Sequence, residues 1–152
     1  MHVDVIIVGG GLAGAALAVA LRTAKLSVAL IEGKAPTRAV GWDARIYAIS
    51  PANAAFLESV GIWSHLDCAR IQPVEQMDIR GDVEGRLQFS AYDSGVSELA
   101  WICESSLIQC ELWESVKRQA NVQLICPARP VELSIDADMA MLRLDDGREF
   151  TA

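Results

Sequence analysis

Val3–Glu32 reads VDVIIVGGGLAGAALAVALRTAKLSVALIE, and the fold is decided in this stretch. Val3 to Val8 is β-branched and, Asp4 apart, apolar throughout, the pattern of a parallel strand buried on both faces. Gly9–Gly10–Gly11 interrupts it. Leu12 to Lys25 then predicts a helix that is apolar nearly all round, carrying Ala15, Ala16, Ala18 and Ala20, so it must be covered on several sides. Arg22 and Lys25 in its last turn suit the negative end of the helix dipole. Leu26 to Ile31 predicts a second short strand, ending at Glu32. Strand, glycine turn, helix and strand within about 30 residues make a βαβ unit.

Gly9, Gly11 and Gly14 form G-x-G-x-x-G between the predicted strand and helix, and Glu32 follows 18 residues after Gly14. Each position has a physical reason. Gly9 permits the tight turn, Gly11 lets the backbone approach a pyrophosphate with no Cβ in the way, and Gly14 allows the helix to pack closely on the strand. Leu12 and Ala13 open the helix, whose N-terminal amides and positive dipole end suit phosphates. Glu32 can accept hydrogen bonds from ribose hydroxyls and would repel a 2′-phosphate, which makes NADP a poor occupant of this pocket. A glycine-rich turn with no ligand is the plain alternative, but glycines clustered before a helix forfeit roughly 0.5–1 kcal/mol each in an ordinary element. The expected fold class is therefore α/β, Rossmann-like, with Gly9, Gly11, Leu12, Ala13, Gly14 and Glu32 as cofactor-binding residues. The motif alone does not choose between NAD and FAD.

The chain has 152 residues, 20 acidic against 13 basic, a net charge of −7 and 52% hydrophobic residues. That composition fits a packed core rather than disorder. The acidic balance argues against nucleic acid as a partner, because counterion release needs clustered Lys and Arg. Cys68, Cys103, Cys110 and Cys126 form no C-x-x-C pair, and only His2 and His65 could join them, so no metal site is expected. The cysteines read instead as small buried apolar residues in a reducing cytoplasm. Val5 to Leu21 is an uncharged run of 17 residues, short of the ~20 that a spanning helix needs. No basic residues precede it, as a signal peptide would require. A cytoplasmic location is expected.

Beyond Glu32 the periodicity fades over 33–49, with room for one short extended piece. Ser50–Pro51 offers an N-cap and a first-turn proline for a helix over 51–60, and Gly61 sits at C′. A second short helix is expected near 62–68. Pro73–Asp82 and Arg86–Ser90 alternate as strands joined through Asp82–Gly85, and Leu99–Cys103 is a further strand. Ser106 and Gln109 make a capping box for a helix over 107–119, with Ile108, Leu112 and Val116 as its apolar stripe. Val122–Cys126 predicts a strand, and Val131–Ile135 with Met139–Leu144 a hairpin. Asp145–Asp146–Gly147 begins a turn.

The opening stretch, together with WDARIYAIS (Trp42–Ser50), Gly61–Ile62–Trp63 after a helix, and WICESSLIQCELWESV (Trp101–Val116), resembles the class A flavin monooxygenases. Within them the chain is most similar to the ubiquinone-biosynthesis aromatic hydroxylases, relatives of para-hydroxybenzoate hydroxylase. The resemblance runs through the whole chain in order, with identity concentrated in the first 50 residues. It implies FAD as cofactor and NADH or NADPH as reductant. It also implies hydroxylation of a small-molecule aromatic substrate, a prenylated phenol. On matching positions Gly9, Gly11, Gly14 and Glu32 would hold the adenosine diphosphate half of FAD. Arg45 would lie near the pyrophosphate and flavin, and Gln109 falls in a region that reaches the cofactor. No catalytic residue is assigned.

The resemblance further implies that the chain is the amino-terminal portion of such a hydroxylase, truncated before the segments that complete the flavin site and not expected to be active alone. Residues 1–72 and 101–152 would belong to the FAD-binding domain. Residues 73–100 would be part of the substrate-domain sheet, with Met77, Ile79, Leu87 and Phe89 facing substrate or forming ordinary sheet core. Glu104–Ser105–Ser106–Leu107 departs from the Glu-Asn-x-x-Leu frequent in relatives, and Asp146–Gly147 is better explained as a hairpin turn than as a cofactor segment. Self-association through exposed sheet edges is expected of the short chain, and peripheral membrane or biosynthetic-complex association of a longer one. Two other readings stay open. One is a different FAD-dependent oxidoreductase, such as an amine oxidase or a prenyl reductase. The other is a non-catalytic dinucleotide-binding module.

Overall fold

The computed structural model describes all 152 residues, which form two compact units, Met1–Arg38 with Gln109–Ala152, and Ala39–Ile108. In the first unit β1 (Val5–Val8) lies parallel to β2 (Val28–Ile31), Val5 opposite Val28. The expected crossover helix is α1 (Leu12–Ala20). It stops five residues before Lys25, because Leu21–Thr23 tightens into a 3₁₀ turn and Ala24 turns extended to enter β2. The entry is fastened by Asp4, whose carboxylate accepts from the Ser27 amide at 2.7 Å and the Ser27 hydroxyl at 2.6 Å. That pins the register of the first pair. β2 is buried at all four residues, which is why its run is continuously apolar.

Five strands of the second unit come next in chain order. These are β3 (Ile46–Ile49), β4 (Ile71–Val74), β5 (Gln76–Arg80), β6 (Arg86–Ser90) and β7 (Ala100–Glu104). The β3-β7-β4 sheet is antiparallel, and β5 and β6 pair as a separate hairpin. The single strand expected over 73–82 is thus two. Pro73 lies in β4, at the edge of its sheet, where a missing N–H costs no ladder bond. Before them, α2 (Pro51–Ser59) begins as the sequence predicts, with the Ser50 hydroxyl accepting from the Asn53 amide at 3.3 Å and Gly61 at φ +75°. The second helix expected near 62–68 is instead two 3₁₀ turns, Trp63–His65 and Cys68–Arg70. A short helix, α3 (Ala91–Ser94), has no periodic signal in the sequence.

α4 (Ser105–Lys117) leads back to the first unit, where β8 (Val122–Ile125) adds to β2 in parallel, giving the order β1-β2-β8. An antiparallel sheet of β9 (Pro130–Ile135), β10 (Ala140–Leu144) and β11 (Glu149–Thr151) completes the unit. The chain start lies along β11, with the Val3 amide donating to the Thr151 carbonyl at 2.9 Å. Val3, Ala29, Ile31, Ile125, Ala128, Leu142, Leu144 and Phe150 form one buried cluster of the first unit. The tips of β1 and β2, where the glycine turn and Glu32 lie, are anchored in this unit.

Candidate functional site

The turn between β1 and α1 is built almost without side chains. Gly9 takes φ +103°, a left-handed conformation that favours glycine, and its amide donates to the Ile31 carbonyl at 2.8 Å. Gly14 brings α1 onto the turn, since a methyl there would stand 1.9 Å from the Gly9 carbonyl oxygen. Gly11 is the N-cap of α1, with φ −69° and ψ −171°, and no side chain caps the helix. The first amides of any helix lack intrahelical acceptors, so those of Leu12 and Ala13 face a mouth that nothing in the chain closes with a cap. A Cβ at Gly11 would meet no atom within 4 Å. Open space beside uncapped amides and a positive dipole end fits a diphosphate.

Glu32 ends β2 beside this mouth. One carboxylate oxygen accepts from the Gly10 amide at 2.5 Å and the other from the Lys34 amide at 3.0 Å. A carboxylate offers about four lone-pair sites, so each oxygen can still accept from a hydroxyl. The chemistry of the donor set thus suits an adenosine diphosphate, with the amides for phosphate and Glu32 for ribose.

Gly10, outside the G-x-G-x-x-G pattern, is as constrained as its neighbours. A Cβ there would stand 2.8 Å from the Trp113 ring and 3.2 Å from Glu32 Cβ. Trp113 is 6% exposed, and nothing local in the sequence links it to a turn a hundred residues away. Gln109 also reaches Gly10, its amide donating to the Gly10 carbonyl at 3.3 Å. The expected capping box with Ser106 therefore does not form. α4 starts at Ser105, and Asp43 takes the Ser106 amide at 2.9 Å, supplying the cap from a distant loop.

Arg45 lies in the second unit, exposed, and its guanidinium acts on the Asp43 carboxylate through charge alone, with no hydrogen bond or ion pair. Its backbone is held firmly instead. The Arg45 amide donates to Asp43 at 2.9 Å and its carbonyl accepts from the Ser105 amide at 2.9 Å. Asp43 donates its own amide to Glu104 at 2.6 Å, and Glu104, 3% exposed, receives Arg70 through two bonds of 2.6 and 2.5 Å. Arg70 also donates to the Gly41 carbonyl and lies 5.1 Å over the Trp42 ring. The Arg70 guanidinium, ahead of the Asp43 amide, holds the Glu104 carboxyl below its ordinary range. The amides of Arg45 and Ser106 do the same for Asp43. These residues border a cleft of about 200 Å³ that includes Ile46, Ile71 and Ile102. Of this network the sequence reading singled out only the Asp-Ala-Arg segment and the Glu104 turn, because charge pairing across 34 residues leaves no local pattern.

Met77 faces Phe89, and Ile79 faces Leu87, across the β5–β6 hairpin. Ile79, Leu87 and Phe89 are exposed, so this face is not a core of the second unit. Of the cysteines, which are all free, only Cys103 is buried, where desolvation pushes its thiol up to about 11. Cys110 and Cys126 are partly buried, and Cys68, on a 3₁₀ turn, is exposed against expectation.

The family profile of FAD-dependent oxidoreductases matches residues 4–125. The chain is 33% identical, over 99% of its length, to the mitochondrial ubiquinone biosynthesis monooxygenase COQ6 of Drosophila melanogaster. It is 33% identical over 98% of its length to the ubiquinone hydroxylase UbiL of Rhodospirillum rubrum. To the 3-demethoxyubiquinol 3-hydroxylase of Escherichia coli it is 28% identical over 98%. It spans 34%, 35% and 39% of those three proteins. Among solved structures, p-nitrophenol 4-monooxygenase PnpA of Pseudomonas putida superposes with a TM-score of 0.75 at 17% identity, over 99% of this chain and 39% of that one. PqsL of Pseudomonas aeruginosa, in complex with 2-aminobenzoylacetate, gives 0.75 at 23%, over 99% and 41%. These likenesses show that the chain carries the fold seen in those enzymes.

Proposed function

The chain belongs to the FAD-dependent oxidoreductase family, and on that premise we propose that its glycine turn binds the adenosine diphosphate half of FAD within an aromatic-ring hydroxylase. The single observation that carries the reading is the open, uncapped mouth of α1 with Glu32 beside it. The amides of Gly11, Leu12 and Ala13 would face the diphosphate, and Glu32 would take the ribose hydroxyls while excluding a 2′-phosphate. When bound, FAD supplies the redox and oxygen chemistry, and the chain's residues bind and orient it. Arg45 is offered as a further cofactor contact on the resemblance of Asp43–Ala44–Arg45 alone.

The substrate class follows from the relatives. A small aromatic molecule, a prenylated phenol of ubiquinone biosynthesis, is the proposed substrate of the whole protein, with NADH or NADPH as reductant. Residues 73–100 would begin the sheet that faces it, which accounts for the exposed apolar side chains of β5 and β6. We further propose a cytoplasmic location, with peripheral membrane or biosynthetic-complex association of the whole protein.

The test is calorimetric titration of the purified chain with ADP, FAD and 2′-phospho-ADP, which keeps the 5′-diphosphate and adds only the 2′-phosphate. ADP and FAD are expected to bind, and 2′-phospho-ADP at least about tenfold more weakly, since unscreened like charges at close range cost more than 1 kcal/mol. Equal affinity for ADP and 2′-phospho-ADP would remove Glu32 from the ribose site. No binding of either ADP or FAD would overturn the reading.

A further inference from the structure

Gly10 has both of its backbone polar groups engaged by side chains, and a third side chain covers its α-carbon. Its N–H goes to Glu32, its carbonyl receives Gln109, and a Cβ would stand 2.8 Å from the Trp113 ring. Gln109 and Trp113 are four residues apart on α4, hence on one face of that helix. We propose that this face of α4 is a clamp that presets the diphosphate turn, and that Gln109 is a positioning residue acting through Gly10 rather than a ligand of the cofactor. The proposal rests on the reading of the turn as an adenosine diphosphate site.

The physical argument is that peptide units are planar. Fixing the Gly10 N–H fixes the Gly9–Gly10 unit, and fixing the Gly10 carbonyl fixes the Gly10–Gly11 unit. The Gly9 N–H, bonded to Ile31, fixes the unit before them. Three successive planes of a glycine run, otherwise the freest backbone in a chain, are thereby set. In a trans peptide the N–H points opposite to the carbonyl, so a Gly10 carbonyl turned toward Gln109 aims the Gly11 N–H away from α4. Without the clamp, each plane must be ordered when the ligand arrives, which weakens binding.

Amide hydrogen exchange resolved at Gly9 and Gly10, whose N–H groups are bonded to Ile31 and Glu32 in the ligand-free chain, tests this, alongside ADP titration and thermal unfolding. Gln109→Met keeps the length of the side chain and deletes the donor. Exchange at the two amides should rise and ADP affinity should fall, each about fivefold, the net worth of one neutral hydrogen bond, with the unfolding midpoint lowered by no more than about 2–4 °C. Gln109→Leu, which is neutral and also lacks a donor, should behave likewise and serves if the methionine variant fails to fold. Weaker ADP binding with unchanged free-state exchange would make Gln109 a direct ligand and overturn the proposal. Unchanged exchange and unchanged affinity would overturn it too. Faster exchange in a chain whose wild type binds no ADP would instead leave the clamp standing and sink the functional reading above.

Discussion

Replacing Gly14 with alanine sets two effects of opposite sign against each other. Alanine is the better helix former, worth up to about 1 kcal/mol at an interior position. The added methyl, however, would lie 1.9 Å from the Gly9 carbonyl oxygen, 3.1 Å from the Gly9 carbonyl carbon and 3.2 Å from Ile7 Cγ2. Reaching van der Waals distance requires α1 and the turn to separate by about 1 Å or more. The obstacle is backbone, which cannot swing aside as a side chain can, so the cost belongs at the upper end of the ~1–3 kcal/mol of overpacking. The net loss is about 2 kcal/mol, which for a chain of this size lowers the midpoint of thermal unfolding by roughly 4–8 °C. Circular dichroism against temperature reads it directly. A raised or unchanged midpoint would mean that helix propensity wins and that α1 does not press on the turn. Gly11→Ala is the matched control. Its methyl meets nothing within 4 Å, so it should cost no more than about 1 kcal/mol for a poorer N-cap while lowering ADP affinity in calorimetry.

Further outcomes concern the rest of the chain. Asp43 and Glu104 titrate below their ordinary values of 3.8 and 4.5 when folded. Their contribution is therefore present above those values and lost as pH falls through the lower folded ones. The stability difference between wild type and Asp43→Asn, measured by denaturant titration, should be full at pH 7 and shrink as pH falls below the ordinary value of 3.8; a difference constant from pH 7 down to pH 2 would contradict the assignment. Cys68 should react first with a thiol reagent at pH 8 and Cys103 last, because Cys103 is buried and its thiol is raised to about 11. Cys68→Ser should remove the fast phase, and a surviving fast phase would show another thiol exposed. β9 is an edge strand whose Val131, Leu133 and Ile135 are all exposed. The chain should therefore self-associate in light scattering, and Leu133→Lys should shift it toward monomer. A monomeric wild type at high concentration would refute this.

Local chemistry and period 2 or 3.6 patterning made much of the fold legible in advance. The β-branched run before Gly9, the alanine-rich α1, the Ser50–Pro51 start of α2 and the hairpin of β9 and β10 each depend on residues adjacent in the chain. So does the glycine spacing, since Gly9 and Gly14 sit five residues apart and meet through one turn of backbone.

What escaped that reading depends on residues brought together only by folding. Gly10 lies between the motif glycines, yet its constraint comes from Trp113 and Gln109 on α4. Ser106 and Gln109 have the spacing of a capping box, but Asp43 out-competes Gln109 for the start of α4, and Gln109 is spent on Gly10 instead. Glu104 and Arg70 carry no periodic mark of their pairing. By itself, then, the sequence determined where the uncapped mouth of α1 would open and which acid would stand beside it, because strand, turn and helix are set by neighbours in the chain. Only the tertiary structure decided what holds that mouth in shape, because a hydrogen bond or a ring contact spanning a hundred residues is specified by where the sheet places α4, and no window along the chain contains both partners.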